Sequence, residues 1–183
     1  MKTEREQLIH LLDTFSLKTG EEFILASGAK STVYIDVKKT ALNSQGSKLL
    51  AKLLYDKMIE NYGPVEAVAG VVLGGCHLAS IVAMHSPIGM DVIYVRKSAK
   101  DHGTKSLIER PFMLEEDYVV ILEDVVTTGS SSLAAAHLLQ KEGLKVRGIL
   151  SVVDRRVEKL PHLSDIAGSF SFSALVNFEE LHP

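Results

Sequence analysis

At 183 residues, 46% apolar and 23% charged, the chain has the balance of one globular domain able to bury a sizeable core, with no need for a second. Twenty basic against 23 acidic residues give a formal charge of −3, which argues against a general nucleic-acid or anionic-membrane binder and allows only local clusters of cations. The one cysteine, Cys76, excludes an intrachain disulfide and an all-cysteine metal site.

The seven histidines show no paired metal-ligand spacing, and no apolar run approaches the roughly eighteen residues of a membrane span. The polar start Met1-Lys-Thr-Glu-Arg-Glu6 lacks a signal-peptide core, so a cytoplasmic protein is expected, with no membrane or nucleic-acid partner. Thr3-Glu-Arg-Glu6 reads as a capping box, and the Leu8/Leu12 and Leu11/Phe15 pairs predict an amphipathic helix that ends near Gly20. Phe23 to Lys38 then reads as two short strands around a Ser27-Gly28 turn.

Asn43 to Asn61 predicts a second helix, with Leu50, Leu54 and Met58 on one face and Gly63-Pro64 as its stop. Four apolar runs follow, Ala67 to Leu73, Val92 to Val95, Val119 to Leu122 and Val146 to Val153, separated by helical stretches. That is the βαβ rhythm of a doubly wound, mostly parallel sheet. The segment Ser169 to Pro183, with Phe170, Phe172 and Phe178, is expected to pack on the body.

Three stretches carry chemistry. Val71-Val-Leu-Gly-Gly-Cys-His-Leu-Ala79 places Gly74 and Gly75 at a strand's carboxyl end, where their N–H groups can face an anion; a plain tight turn is the blander alternative. Tyr94 to Glu109 gathers Arg96, Lys97, Lys100, His102 and Lys105, which is either a solvated basic loop or a mobile one that closes over a pyrophosphate. In Tyr118 to Ser132, an apolar strand meets Glu123 and Asp124, then a hydroxyl- and glycine-rich turn with Gly129 for close approach and Ser130 as cap of a new helix. Two carboxylates beside a phosphate cradle suit sugar hydroxyls or a metal-bound sugar better than a bare phosphate.

The run Glu123-Asp-Val-Val-Thr-Thr-Gly-Ser130 resembles the phosphoribosyl-pyrophosphate (PRPP) motif of type I phosphoribosyltransferases. The spacing Arg96-Lys-x-x-Lys100-x-His102-Gly103 resembles the catalytic loop of orotate phosphoribosyltransferases, and Ser27-Gly28, Ser31, Tyr34 and Asp36 resemble that family's N-terminal hood. Val153-Asp154-Arg155 is similar to its Asp-Arg pair, so the likeness runs from about residue 3 to 175. The chain departs from the pattern at Cys76-His77, where a proline is usual two residues after the glycine pair, and at Thr104-Lys105, where a second glycine is usual.

This resemblance implies an α/β fold of the type I phosphoribosyltransferase kind: a central mostly parallel sheet flanked by helices, in one domain over 1–183. The hood would comprise approximately 1–40 plus the C-terminal segment, and the core approximately 41–168. It implies a Mg²⁺-dependent transfer of phosphoribose from PRPP to orotate, giving orotidine 5′-monophosphate and pyrophosphate in pyrimidine synthesis. By the same resemblance Lys100, His102 and Asp124 are catalytic, and Arg96, Lys97, Lys100, His102, Glu123, Asp124, Val125, Val126, Thr127, Thr128, Gly129, Ser130 and Ser131 bind PRPP. Gly74 and Gly75 form the pyrophosphate loop, and Thr127 and Arg155 take orotate. The protein is expected to supply no direct metal ligand, Mg²⁺ being held mainly through PRPP and water. The likeness further implies a homodimer with shared active sites. A type I enzyme for a purine base and a non-catalytic PRPP-sensing regulator remain as alternatives.

Overall fold

The computed structural model describes residues 2–24, 30–97, 106–111, 117–156 and 170–181. Lys100, His102, Gly103, Thr104, Lys105 and the Ser27-Gly28 turn lie outside these residues.

The first helix, α1 (Glu4–Leu11), starts on the expected box: Glu6 N donates to Thr3 Oγ1 at 3.2 Å and Thr3 N donates to Glu6 Oε2 at 2.7 Å. A π-helical turn, Leu12–Ser16, carries it on, and the helix stops there and not near Gly20. The cause is tertiary: Ser16 Oγ lies 2.7 Å from Thr40 Oγ1 in the interior, and Asp36 N donates to Ser16 O. The chain then enters β1 (Leu17–Ile24), paired antiparallel with β2 (Lys30–Ile35), a two-stranded sheet within the segment expected to form the hood. A short helix, α2 (Val37–Ala41), follows, capped by Asp36. Next comes α3 (Ser44–Tyr62), where Asn43 Oδ1 caps the start and Gly63, at φ 71°, ends the helix in the left-handed region that favours glycine.

The central sheet contains β3 (Ala67–Val71), β4 (Asp91–Val95), β5 (Ile108–Glu109), β6 (Tyr118–Val126), β7 (Lys145–Asp154) and β8 (Ser171–Asn177). Their order is β5-β4-β3-β6-β7-β8, parallel throughout except for the short β5. Side-chain alternation along the strands builds two cores. Val68, Val120, Leu122, Leu150 and Val152 face α1, α3 and α4 (Gly74–His85), while Ala67, Ala69, Val119, Ile121 and Ile149 face α5 (Ser130–Lys141). Both faces are covered, which explains why the four runs are apolar without alternation.

Two expected boundaries move. Strand β6 does not end at Leu122 but continues to Val126, keeping its ladder to β7 through Glu123↔Ser151 and Val125↔Val153, whereas β3 stops at Val71, short of Leu73. The C-terminal segment, grouped with the hood in the sequence reading, instead supplies the sixth strand of the central sheet, with Phe170 buried on the α5 side.

Candidate active site

Because β6 runs on through its carboxylates, strand alternation sends Glu123 and Asp124 to opposite faces. Glu123, only 7% exposed, turns towards α5, where Ser132 Oγ donates to its Oε2 at 3.0 Å. Burial, reinforced by the neighbouring Asp124 charge, pushes its carboxyl up to about 8 against the pull of Ser132 and Lys97. Asp124 turns towards α4 and accepts from Val125 N at 2.9 Å.

After Val126 the exposed Thr127 and Thr128 lead to Gly129, whose φ of 76° makes it the residue that caps α5. Ser130 is therefore not the cap but the first helical residue, and its hydroxyl sits 2.9 Å from Thr128 Oγ1. A turn needing positive φ hands the cap position to glycine. The first turn of α5 then presents main-chain N–H groups with no intrahelical acceptor beside Val125, Val126 and Thr127, an arrangement suited to a phosphate.

Gly74 and Gly75 are not a flexible turn; they are the first residues of α4, which starts after a cis peptide between Val72 and Leu73. Each is glycine for a different steric reason. A Cβ on Gly74 would lie 2.2 Å from Asp124 Cγ, and one on Gly75 would lie 2.3 Å from Leu122 O. The helix start and the strand carboxylate are thus in direct contact. His77, one turn into α4, is half-buried with Nε2 shielded and unpartnered, and burial holds its pKa below the usual value against the attraction of Asp124.

The hood reaches this point through Lys38. Its ammonium lies 2.6 Å from Asp36 Oδ1, and although burial pulls its pKa down, Asp36, aided by Asp124, leaves it raised. In the sequence Lys38 is marked only by its place two residues after Asp36, at the end of the hood segment.

On the other side of the sheet, β4 delivers Arg96 and Lys97. Arg96 Nε donates to Glu109 Oε1 at 3.2 Å and Arg96 N to Leu107 O at 2.8 Å, so the two ends of the 98–105 segment are clamped at its base. Arg96 and Lys97 share a cleft of about 400 Å³ with Ser130 and Ser131 of α5, which joins the basic stretch to the phosphate cradle. A larger cleft, about 560 Å³, lies away from this chemistry between α1, α3 and β8; its Lys57 and Glu60 are paired with each other and Arg5 with Glu180.

Arg155 closes the remaining side. Its Nη2 donates to Ser31 Oγ at 2.9 Å and Val33 O at 3.0 Å, and the guanidinium stacks 4.7 Å from the Phe178 ring centroid. It ties the hood to the end of β7 and does not act as a surface partner of Asp154, whose carboxylate is held by Arg156 Nε at 2.8 and 3.0 Å. Two adjacent carboxylates, a helix start, a glycine pair and a stacked guanidinium therefore meet at the carboxyl ends of parallel strands, where open α/β sheets place ligands. Among the described residues no group of three or more His, Cys, Asp and Glu is placed to hold a metal ion, and no helix is long and apolar enough to cross a membrane.

Residues 39–180 match the family described as phosphoribosyl transferase domain. An orotate phosphoribosyltransferase from Synechocystis sp. is 41% identical over 155 residues, 83% of this chain and 76% of its own length. One from Listeria innocua is 34% identical over 180 residues, 98% of this chain and 84% of its own. The crystal structure of Mycobacterium tuberculosis H37Rv orotate phosphoribosyltransferase in complex with 5-phospho-alpha-D-ribosyl 1-diphosphate superposes with a TM-score of 0.79 at 25% identity, covering 99% of this chain and 100% of that one. The chain thus belongs to the phosphoribosyl transferase domain family and, within it, to the orotate phosphoribosyltransferases.

Proposed function

We propose that the protein transfers the phosphoribosyl group of PRPP to orotate, releasing pyrophosphate and forming orotidine 5′-monophosphate for pyrimidine synthesis. The observation that carries this reading is the meeting of Asp124 with the Gly74 helix start beside the first turn of α5. One ribose can lie across these elements with its 5′-phosphate on residues 125–131 and its pyrophosphate at Gly74 and Gly75. Glu123 and Asp124 accept hydrogen bonds from the ribose hydroxyls. The ring nitrogen of orotate, its N–H proton lost to water beforehand so that the base is ionised there, forms its bond to C1′ as the C1′–O bond to pyrophosphate breaks, and the electron pair leaves with pyrophosphate. Catalysis is then mostly positioning plus neutralisation of the departing charge.

Lys97, with Lys100 and His102 from the 98–105 segment, supplies that neutralisation; Arg96 secures the base of the segment through Glu109 and is positioned to join it. The residues present fit Mg²⁺ carried by PRPP and water, since Glu123 is buried, proton-retaining and bonded to Ser132, which makes it a poor metal ligand. When bound, the ion offsets the charge of the pyrophosphate oxygens. Two subunits share their sites in this reading, with Lys100 and His102 entering from the neighbouring one, and the enzyme works in the cytoplasm. The deciding experiment is pyrophosphate release with PRPP plus orotate, with Mg²⁺ and with a chelator, and with adenine, guanine or hypoxanthine as competing bases. Orotate-dependent, chelator-sensitive release is expected; release with a purine base alone would sink the reading.

Arg155 and Thr127 take orotate, the guanidinium facing its carboxylate. Arg155→Ala should raise KM for orotate about 30-fold, the equivalent of about 2 kcal/mol for a broken charged pair, with little change in KM for PRPP. Equal rises in both constants would mean that Arg155 only holds the hood onto Ser31 and Val33.

A further inference from the structure

We propose that Lys38 is a positioning residue for the transfer: its ammonium, pinned by Asp36, is the counter-charge that keeps the Asp124 carboxylate turned into the crevice for the ribose. The proposal rests on the reading of Asp124 as a ribose-binding group given above, and adds the residue that aims it.

A lysine ordinarily carries its charge on a long flexible stem with the head in water; this one is built in. Asp36 N donates to Ser16 O at 2.9 Å, and Asp36 Oδ1 accepts from Lys38 N at 3.2 Å and from Lys38 Nζ at 2.6 Å, so one carboxylate fixes both ends of the residue. Beneath it α2 is anchored in the interior. The buried Thr40 donates from its N–H to Ser16 Oγ at 3.3 Å and from Oγ1 to Leu11 O at 3.1 Å, while Gly46 leaves no room for a Cβ against Thr40 O. An ion pair between residues two apart adds little to folding. What gives this foundation a purpose is the second carboxylate that the ammonium meets.

Helix α2 packs on both α4 and β6, and the Asp124 charge acts on Lys38 across that junction. With the Lys38 and Asp36 side chains only 32% and 16% exposed, water and salt screen the attraction less than on the open surface. Asp124 needs such a hold. It accepts from the adjacent Val125 N at Oδ1, a bond that leaves the second oxygen to be aimed by its surroundings, and the α4 start offers it only Gly74, which has no side chain. His77, one turn on, cannot supply the charge: its Nε2 is shielded without a partner, and burial holds its pKa below the ordinary value, so the imidazole is neutral at pH 7. Lys38 stays charged, because Asp36 and then Asp124 outweigh the pull of burial. Its charge also offsets both carboxylates when the anionic PRPP arrives.

The test is PRPP affinity by titration calorimetry on the full chain, with steady-state kinetics and thermal unfolding alongside. Lys38→Met should weaken PRPP binding about 30-fold and lower kcat/KM for PRPP at least as far, with KM for orotate and the unfolding temperature little changed. Lys38→Arg keeps the charge and should stay within about threefold of the wild type. The discriminating measurement is a double-mutant cycle on kcat/KM for PRPP: once Asp124→Asn has removed the carboxylate charge, Lys38→Met should cost no more than about threefold further. The full loss in that background would mean that Lys38 touches PRPP itself, and overturns the proposal. So does a Lys38→Met protein that binds PRPP as the wild type does. Should Lys38→Met fail to fold, Asp36→Asn loosens the pin and keeps the ammonium; a loss of PRPP affinity that disappears in the Asp124→Asn background supports the bridge, and no loss overturns it. PRPP binding without orotate-dependent release sinks only the proposed reaction, whereas orotate-dependent release with Lys38→Met unaffected sinks only the bridge.

Discussion

Gly74→Ala should yield a folded protein with kcat/KM for PRPP reduced about 100-fold or more, while Gly75→Ala should damage the fold itself. The two glycines are adjacent, and the difference lies in what each new methyl meets. At Gly74 the obstacle is the Asp124 carboxylate, 2.2 Å away at Cγ and Oδ2, a side chain able to swing aside. Overpacking relieved by such a movement costs about 1–3 kcal/mol, which a domain of this size survives. Asp124 is then displaced from the sugar, and a misplacement of about 1 Å is enough for a loss of about 100-fold. At Gly75 the obstacles are Leu122 O at 2.3 Å and the Gly70 Cα at 3.0 Å, main-chain atoms of the central strands that have no rotamer to change. Steady-state kinetics and thermal unfolding of both variants separate the outcomes. A Gly74→Ala enzyme with near wild-type kcat/KM would show that Asp124 does not need the contact.

That contrast was only half legible in the sequence. The glycine pair announced a close approach, but not which atoms approached, because Asp124 is fifty residues away and on another strand. Local punctuation was easier to read: Thr3 and Glu6 fixed one helix start, and Asn43 with Gly63 bounded α3 within a residue or two. The end of β6 misled because two carboxylates resemble the end of a buried strand, yet the ladder to β7 continues past both, with Glu123 turned onto Ser132 of α5 and Asp124 onto Gly74 of α4. Ser130 looked like the cap by residue type, until the positive φ of the turn gave that place to Gly129. Phe170 and Phe172 signalled packing, but placing the C-terminal segment beside β7 required its pairing partner, which no local pattern encodes. Lys38 escaped in part for a similar reason: its first partner, Asp36, is local, but the Asp124 charge that adds to it is brought near by the docking of α2 on β6.

The second large effect follows from the buried carboxyl beside Asp124. Glu123→Gln should stabilise the protein at pH 9 while weakening PRPP binding, two consequences of one displaced proton. The folded carboxyl sits near 8, above its ordinary 4.5, because burial and the Asp124 charge penalise ionisation. The native state therefore holds this proton more tightly than the unfolded chain does. Stability from Glu123 is fully present below about pH 4.5 and is lost as pH rises through about 8. A glutamine never ionises and keeps an oxygen for the Ser132 hydroxyl, so the variant should escape that loss, a gain on the order of a few kcal/mol at pH 9 and none at pH 4. Urea unfolding at the two pH values measures it; equal stability differences at both would refute a raised Glu123. Binding runs the other way. A ribose hydroxyl donates best to an ionised acceptor, so KM for PRPP should fall in the wild type as pH rises from 7 to 9, and PRPP binding near pH 7 should release a proton, visible as buffer-dependent calorimetric heats. In Glu123→Gln the pH dependence should flatten, the proton release should vanish, and KM at pH 9 should stand about tenfold or more above the wild type, the cost of one charged hydrogen bond. A variant that loses stability but keeps the proton release would place the titrating group elsewhere and leave Glu123 as a buried support for the first turn of α5.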